Sequence, residues 1–226
     1  MRITISKENY LKAIAEAQSE GQVVKAVTLT RWLHVSAPAV TMAIKRLKRD
    51  GLIRVDEDGR IALTPAGCEI ANRLLNRHHL IERMLTEIFG LEWYKVHDEA
   101  EQLEHAVSTD FERKLVEKLG NGGACPHGNL VGMDSPEARR QRGLRPLDEA
   151  PPGDRLVVAS VFERDRAFLE HLDGLGIRPG TELTISAALG THGLPESILL
   201  ETCGRAVTVA RPAAAKIWVR SVGANR

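Results

Sequence analysis

Between Gly51 and Pro65 the chain reads Leu52-Ile53-Arg54-Val55, then Asp56-Glu57-Asp58-Gly59, then Arg60-Ile61-Ala62-Leu63-Thr64. Two alternating apolar runs on either side of Asp-Gly predict a β-hairpin, because glycine supplies the positive φ that a tight turn demands. What precedes the hairpin narrows the fold further. Ser6 can cap a helix that turns Tyr10, Leu11, Ile14 and Ala15 inward and finishes before Gly21, and a second helix is expected from Val27 to Leu33. The turn His34-Val35-Ser36-Ala37-Pro38 then offers Ser36 as N-cap, with Pro38 in the first helical turn, where its missing N–H costs little. The helix it opens, Pro38 to Asp50, is expected to bury Val40, Ile44 and Leu47. Three helices and a hairpin make a winged helix-turn-helix.

In that geometry the helix opened by Ser36 enters the DNA major groove with its N-terminal residues facing base edges. The expected DNA surface is Ser36, Pro38, Ala39, Thr41, Met42, Lys45, Arg46 and Arg49, with Arg60 on the hairpin. Lys45, Arg46, Lys48 and Arg49 can approach phosphates. Ala39 and Met42 suit thymine methyl groups and groove shape better than a dense hydrogen-bond code. A winged helix that binds another protein is the alternative on these residues alone.

Charge supports a division of labour. The net charge is only +1, yet residues 1–64 carry eleven Lys/Arg against seven Asp/Glu, and residues 65–125 carry seven against eleven. The acidic middle also contains His78, His79, His97 and His105, the composition of a divalent-cation site. On a helix running through His97-Asp98-Glu99-Ala100-Glu101-Gln102-Leu103-Glu104-His105, the residues His97, Glu101, Glu104 and His105 fall on one stripe. His78 and Glu82 are likewise one turn apart on a helix expected from about Pro65 to Ile88. A solvated acidic face is the plainer reading of such a stripe.

At 226 residues and 43% hydrophobic composition the chain can bury more than one core, and it has no apolar run long enough to cross a bilayer. Met1-Arg2-Ile3-Thr4-Ile5 lacks the pattern of a secretory leader, so the cytoplasm is the expected compartment. Cys68, Cys125 and Cys203 are odd in number and form no CxxC pair, which argues against a disulfide framework and against thiolate-rich zinc sites. Beyond Arg145 the Pro-rich stretch from Pro146 to Asp154 reads as a linker. Strand patterns at Leu156 to Phe162, Glu182 to Ile185, Ser197 to Glu201, Ala206 to Val209 and Ile217 to Val219 then predict a small SH3-like β-barrel.

Several motifs occur together in one order: Arg46-Leu47-Lys48-Arg49-Asp50-Gly51-Leu52, Leu63-Thr64-Pro65-Ala66-Gly67, His78 to Arg83, Lys95 to Ala100 with Glu104-His105, and Cys125-Pro126-His127-Gly128-Asn129. On these the chain resembles the diphtheria toxin repressor family of metal-dependent transcriptional regulators, over nearly its whole length. The resemblance implies an α+β architecture in three parts. These are a winged-helix DNA-binding domain (1–64), an all-α dimerisation and metal-binding domain (65–142), and, after a linker (143–152), an SH3-like β-barrel domain (153–226).

The resemblance also implies two metal sites per subunit. A primary site matches Asn9, Glu101, Glu104 and His105; an ancillary site matches His78, Glu82 and His97, to which the barrel adds Glu163, with Asp165 or Glu170 as alternatives. Where iron-responsive members place a sulfur ligand the chain has Glu101, and hard oxygen donors favour Mn²⁺ over Fe²⁺, the alternative ion. Asn9 is neutral where manganese-responsive members commonly carry Asp, and Cys125 stands where some relatives carry a hydroxyl. The implied function is a homodimeric repressor that binds palindromic double-stranded operator DNA when loaded with Mn²⁺ and controls metal uptake, with no small organic substrate. Two other classes were weighed: a metal-independent winged-helix regulator, and a metalloenzyme, which the lack of HExxH or GxSxG disfavours.

Overall fold

Thr4, rather than Ser6, starts the first helix. Its backbone is extended and its side chain accepts from the Lys7 N–H, so α1 spans Ile5–Ser19. The position of the first helical turn selects the cap, and here that turn begins one residue after Thr4. The structure is a computed structural model that describes residues 4–132, 134–191 and 194–223. Met1–Ile3, on which part of the N-terminal reading rests, lie outside the described residues. The chain forms two compact units: Met1–Ile81, Gln102–Gly122 and Val131–Pro136 in the first, Glu82–Glu101, Gly123–Leu130 and Glu137–Arg226 in the second.

In the first unit α1 is followed by α2 (Ala26–Leu33) and α3 (Ala37–Arg49), then by strands β1 (Ile53–Val55) and β2 (Ile61–Leu63). Ser36 is the N-cap residue of α3 and Pro38 lies in its first turn, although the Ser36 hydroxyl makes no capping bond. The strands pair antiparallel with Ile53 opposite Leu63 and Val55 opposite Ile61, and Gly59 closes the turn at φ 74°. The Ile61 N–H donates to the Val24 carbonyl at 2.8 Å, so the hairpin is anchored to the segment between α1 and α2. Leu11, Ile14, Ala17, Leu29, Val40, Leu47, Leu52 and Ile61 make one core beneath this arrangement. That is the winged helix-turn-helix expected. Ile44 is only half-buried.

Next come α4 (Pro65–Arg83), whose last two residues belong to the second unit, a π-helical turn at Met84–Ile88, and α5 (Val96–Leu103). The helix expected over 65–88 is therefore an α-helix that widens in its final turn. The helix α6 (Thr109–Leu119) completes the first unit, capped by the Ser108 side chain, which accepts from the Phe111 N–H. The expected stripe from His97 to His105 is broken, because α5 stops at Leu103 and Glu104–Ala106 form a turn. Ser108 must be reached in extended conformation for α6 to start, and the chain leaves α5 to do so.

The second unit holds α7 (Pro136–Gln141), which lies mostly within it, β3 (Arg145–Pro146), β4 (Arg155–Val161), α8 (Arg166–Gly174), β5 (Glu182–Thr191), β6 (Leu194–Thr202), β7 (Arg205–Ala210), the short α9 (Arg211–Ala214) and β8 (Ile217–Ser221). The strands form one sheet in the order β3-β8-β4-β5-β6-β7, antiparallel throughout. Part of the expected linker folds into this sheet: Arg145 and Pro146 pair with Val219 and Trp218, and Leu147 is fully buried. Leu147 gives the physical reason, since its side chain joins a core with Leu156, Val158, Leu169, Leu172, Ile198, Leu200 and Ile217. No helix among the described residues is long and apolar enough to cross a membrane.

Candidate metal centres and DNA-facing surface

In the first unit, α1 and the turn after α5 bring Asn9, Glu104 and His105 together. His105 Nε2 lies 2.6 Å from Asn9 Oδ1 and 3.5 Å from Glu104 Oε1. A fourth group, overlooked in the sequence, stands at the other ring nitrogen: Glu8 Oε2 is 3.3 Å from His105 Nδ1, where it orients the imidazole and leaves Nε2 to Asn9 and Glu104. Its signal was its place beside Asn9 at the start of a helix. The donors are carboxylate, amide and imidazole, a hard set without sulfur that suits a divalent cation. Glu101, expected in this group, is placed differently. It is exposed in the second unit, 3.2 Å from Arg164 and 3.6 Å from His97 Nε2.

His78 is fully buried on α4, one turn before Glu82. In the first unit its Nδ1 lies 2.7 Å from Glu104 Oε2 and 2.9 Å from Lys12 Nζ. Burial pushes the Glu104 carboxyl up, but the bonds from His78 and the charge of Lys12 outweigh it and hold the group below its ordinary range. Arg77 adds a bond from its guanidinium to the Glu104 carbonyl at 3.2 Å and a salt bridge to Glu112 at 2.8 Å.

The second unit carries its own cluster of donors. Glu82 Oε1 is 3.3 Å from His97 Nδ1 and 3.4 Å from His127 Nδ1. Glu163 reaches the same two rings, at 3.9 Å from His97 and 3.5 Å from His127. A divalent ion that holds its ligands at about 2.1 Å keeps neighbouring donors roughly 3.0–3.5 Å apart, close to this spacing. Glu82, His97 and Glu163, whose donor atoms lie within 4.8 Å of one another, are thus a donor set that fits such an ion, with His127 beside both carboxylates. Of the three residues weighed on the barrel side, Glu163 is the one in this cluster. Asp165 instead caps α8 by accepting from the Phe168 N–H, and Glu170 is exposed.

His127 was not foreseen as a donor, nor was Cys125 placed in a cluster. Cys125 Sγ lies 3.3 Å from Glu163 Oε2, and Asn129 Nδ2 donates to that oxygen at 2.6 Å. The loop Cys125-Pro126-His127-Gly128-Asn129 approaches β4 closely: the Val161 N–H donates to the His127 carbonyl, and a Cβ on Gly128 would stand 2.0 Å from the Ala159 carbonyl oxygen. Only glycine fits there, and its φ of 85° favours glycine too. His127 Nε2 is 2.9 Å from the Trp93 carbonyl, which fixes the ring and leaves Nδ1 toward the carboxylates.

These surroundings govern protonation. Burial lowers the His97 imidazole, but its bonds to Glu101 and Glu82 and the charge of Glu163 overcome this and bring it to about 10. Burial likewise lowers His127, and Glu82 and Glu163 bring it up to about 9. Burial and the same two carboxylates push the Cys125 thiol well above its ordinary value, so it is a protonated, unreactive thiol at neutral pH.

The residues of the expected DNA surface are open to solvent in the first unit. Ser36, Pro38, Ala39, Thr41, Met42, Lys45, Arg46, Lys48, Arg49 and Arg60 are all exposed, and Met42 retains 49% of its surface. Lys7 ties α1 to the end of this helix by a 2.6 Å salt bridge to Asp50.

A winged helix with an exposed basic recognition helix, joined in one chain to clusters of carboxylate and imidazole donors, defines a metal-responsive DNA-binding regulator. The comparisons narrow the class. Residues 2–60 match the N-terminal DNA-binding domain of iron-dependent repressors, residues 64–131 match their metal-binding and dimerisation domain, and residues 145–221 match the FeoA domain. The chain is 35% identical over 217 residues to a diphtheria toxin repressor of Corynebacterium efficiens, covering 89% of this chain and 94% of that protein. It is 32% identical over 194 residues to the iron-dependent repressor IdeR of Mycobacterium tuberculosis, covering 81% and 84%. Among solved structures, a manganese-dependent transcriptional repressor in complex with manganese superimposes with a TM-score of 0.82 at 32% identity, covering 96% of this chain and all of that one. The chain belongs to the diphtheria toxin repressor family of metal-dependent regulators. It is a metal-dependent transcriptional repressor, α+β with a C-terminal SH3-like domain, and not an enzyme.

Proposed function

We propose that this repressor is activated by Mn²⁺, binds a palindromic operator in double-stranded DNA as a homodimer, and controls genes of metal uptake and homeostasis in the cytoplasm. The observation that carries the choice of metal is the donor set at His105 Nε2: the Asn9 Oδ1, the Glu104 carboxylate and the imidazole itself, without sulfur. Division into domains at 1–64, 65–142 and 153–226 is part of the same reading.

Two ions per subunit are proposed. Asn9, Glu104 and His105 would hold one in the first unit, with Glu8 orienting the His105 ring, and Glu82, His97 and Glu163 would hold one in the second, with His127 beside both carboxylates. A bound ion would supply positive charge among carboxylates that otherwise repel one another. Within the first unit, Asn9 is on α1, while Glu104 and His105 belong to the turn after α5. Holding these three together restrains α1, and α1 packs on α2 and α3 through Leu11, Ile14, Leu29 and Val40. The recognition helix is therefore biased toward one position, to the extent that metal binds that position more tightly.

Fe²⁺ is the second reading, supported by relatives that are themselves named iron-dependent repressors. Titrating operator binding with Mn²⁺ and, anaerobically, with Fe²⁺ separates the two. Half-activation at lower Mn²⁺ than Fe²⁺ supports manganese; a response to Fe²⁺ alone overturns it.

A further inference from the structure

The least expected group in the first unit is a cation that the chain itself supplies. Lys12 is buried at 3% exposure, in the company of Glu16, His78 and Glu104, which are buried too. Its Nζ lies 2.7 Å from Glu104 Oε2, 2.9 Å from His78 Nδ1 and 3.8 Å from Glu16 Oε1. A buried ammonium is costly unless charge and hydrogen bonds compensate it, and the Glu104 and Glu16 carboxylates do so here, with the His78 imidazole beside them. Those three groups are also what a divalent ion recruits. An ammonium, having only donors, takes the same neighbours at hydrogen-bond length.

Glu104 shows how the two positions are divided. Its Oε1 faces His105, 3.5 Å away, in the cluster with Asn9 and Glu8, whereas its Oε2 faces Lys12 and His78. One carboxylate thus borders two adjacent cation positions, and the chain fills one of them covalently. We propose that the Lys12 ammonium is a resident cation, occupying the place of a second divalent ion beside Glu8, Asn9, Glu104 and His105, and so limits this unit to a single ion. Its position on α1, bonded to His78 of α4 and to Glu104 after α5, also ties these segments together without metal. The inference rests on the proposed metal site only for what lies on the Oε1 side of Glu104.

The test is a count of ions in the full-length chain. The parent protein and Lys12→Glu are each saturated with Mn²⁺, separated from free metal by gel filtration and analysed for manganese. K12E replaces the ammonium with a carboxylate, leaving Glu16, His78 and Glu104 with an added negative group, and is expected to bind one more Mn²⁺ per chain than the parent. Its melting temperature is expected to fall in chelator and to rise with Mn²⁺ by more than the parent's does. An unchanged count in a folded K12E chain overturns the proposal. So does a K12E chain that fails to fold both with and without Mn²⁺, since a divalent ion then does not stand in for the ammonium. If the parent binds Mn²⁺ and K12E gains none, only the role of Lys12 fails. If neither chain binds Mn²⁺, the metal reading fails with it.

Discussion

His105 Nε2 stands 2.6 Å from Asn9 Oδ1, so an imidazole from the turn after α5 meets an amide oxygen from α1 across 96 residues of sequence. The contact joins the helix that supports the recognition helix to the segment with the most concentrated donors in the first unit. Because Asn9 is neutral, the ion proposed there has one charged donor, Glu104, and gains no charge from the residue nearest His105.

Asn9→Asp should therefore raise Mn²⁺ affinity at this site by about tenfold, since a second unit charge a few ångströms from the ion adds favourable energy even after solvent screening. Calorimetric titration of the two proteins measures this. Equal affinities would remove Asn9 from the site.

In the second unit the loop geometry and the donors can be separated by mutation. Glu163→Gln keeps the shape of the side chain but removes its charge, so it should weaken the ion of that unit at least tenfold, and lower the melting temperature in chelator only at pH values where His97 and His127 are protonated. Gly128→Ala should instead unfold the loop's approach to β4, at a cost of about 3 kcal/mol or more, because its Cβ would meet the Ala159 carbonyl at 2.0 Å. Chelator-state melts and manganese analysis distinguish the two effects; a stable G128A protein would contradict the packing described.

The pH dependence has opposite signs with and without metal. His97 at about 10 and His127 at about 9 stand above the ordinary imidazole value of about 6.5. In the metal-free protein their stabilising contribution is complete below about pH 6.5 and is lost as pH rises through 9 to 10. An ion coordinates neutral imidazole, so its affinity must grow as pH rises toward those values. At pH 7.5, Mn²⁺ binding in the second unit should release at least one proton, from His97, seen by calorimetry in buffers of different ionisation enthalpy. Absence of proton release would show that neither ring is protonated before binding.

Lys45 is exposed on the outer face of α3, where a phosphate contact contributes mainly counterion release. Lys45→Ala should lower the slope of log affinity against log salt by about one, and weaken binding to all DNA sequences alike. Loss of discrimination between operator and random DNA, at an unchanged salt slope, would mean that Lys45 reads bases.

The winged helix was legible because its signals are local: Ser36 and Pro38 at the start of α3, the spacing of Val40 and Leu47, and Asp58-Gly59 in the hairpin. The sites were less so. The stripe from His97 to His105 assumes a helix that continues, whereas α5 ends at Leu103 and the chain turns before α6 starts after Ser108. His127 was overlooked because its ring is aimed by a tertiary contact, the approach of Gly128 to Ala159, that leaves no periodic trace. Lys12 looked like an ordinary helix-surface lysine, since a buried ammonium is recognisable only from the partners that gather around it. The barrel strands were read in place, but Leu147 was hidden in a proline-rich stretch whose composition resembles a linker.

The account as a whole depends on metal controlling DNA affinity through the first unit. Fluorescence anisotropy with operator DNA, in Mn²⁺ and in chelator at the same ionic strength, tests this most directly. Binding at least about tenfold tighter with Mn²⁺, a coupling of about 1.4 kcal/mol, is the predicted result. Equal affinity in the two conditions would contradict it.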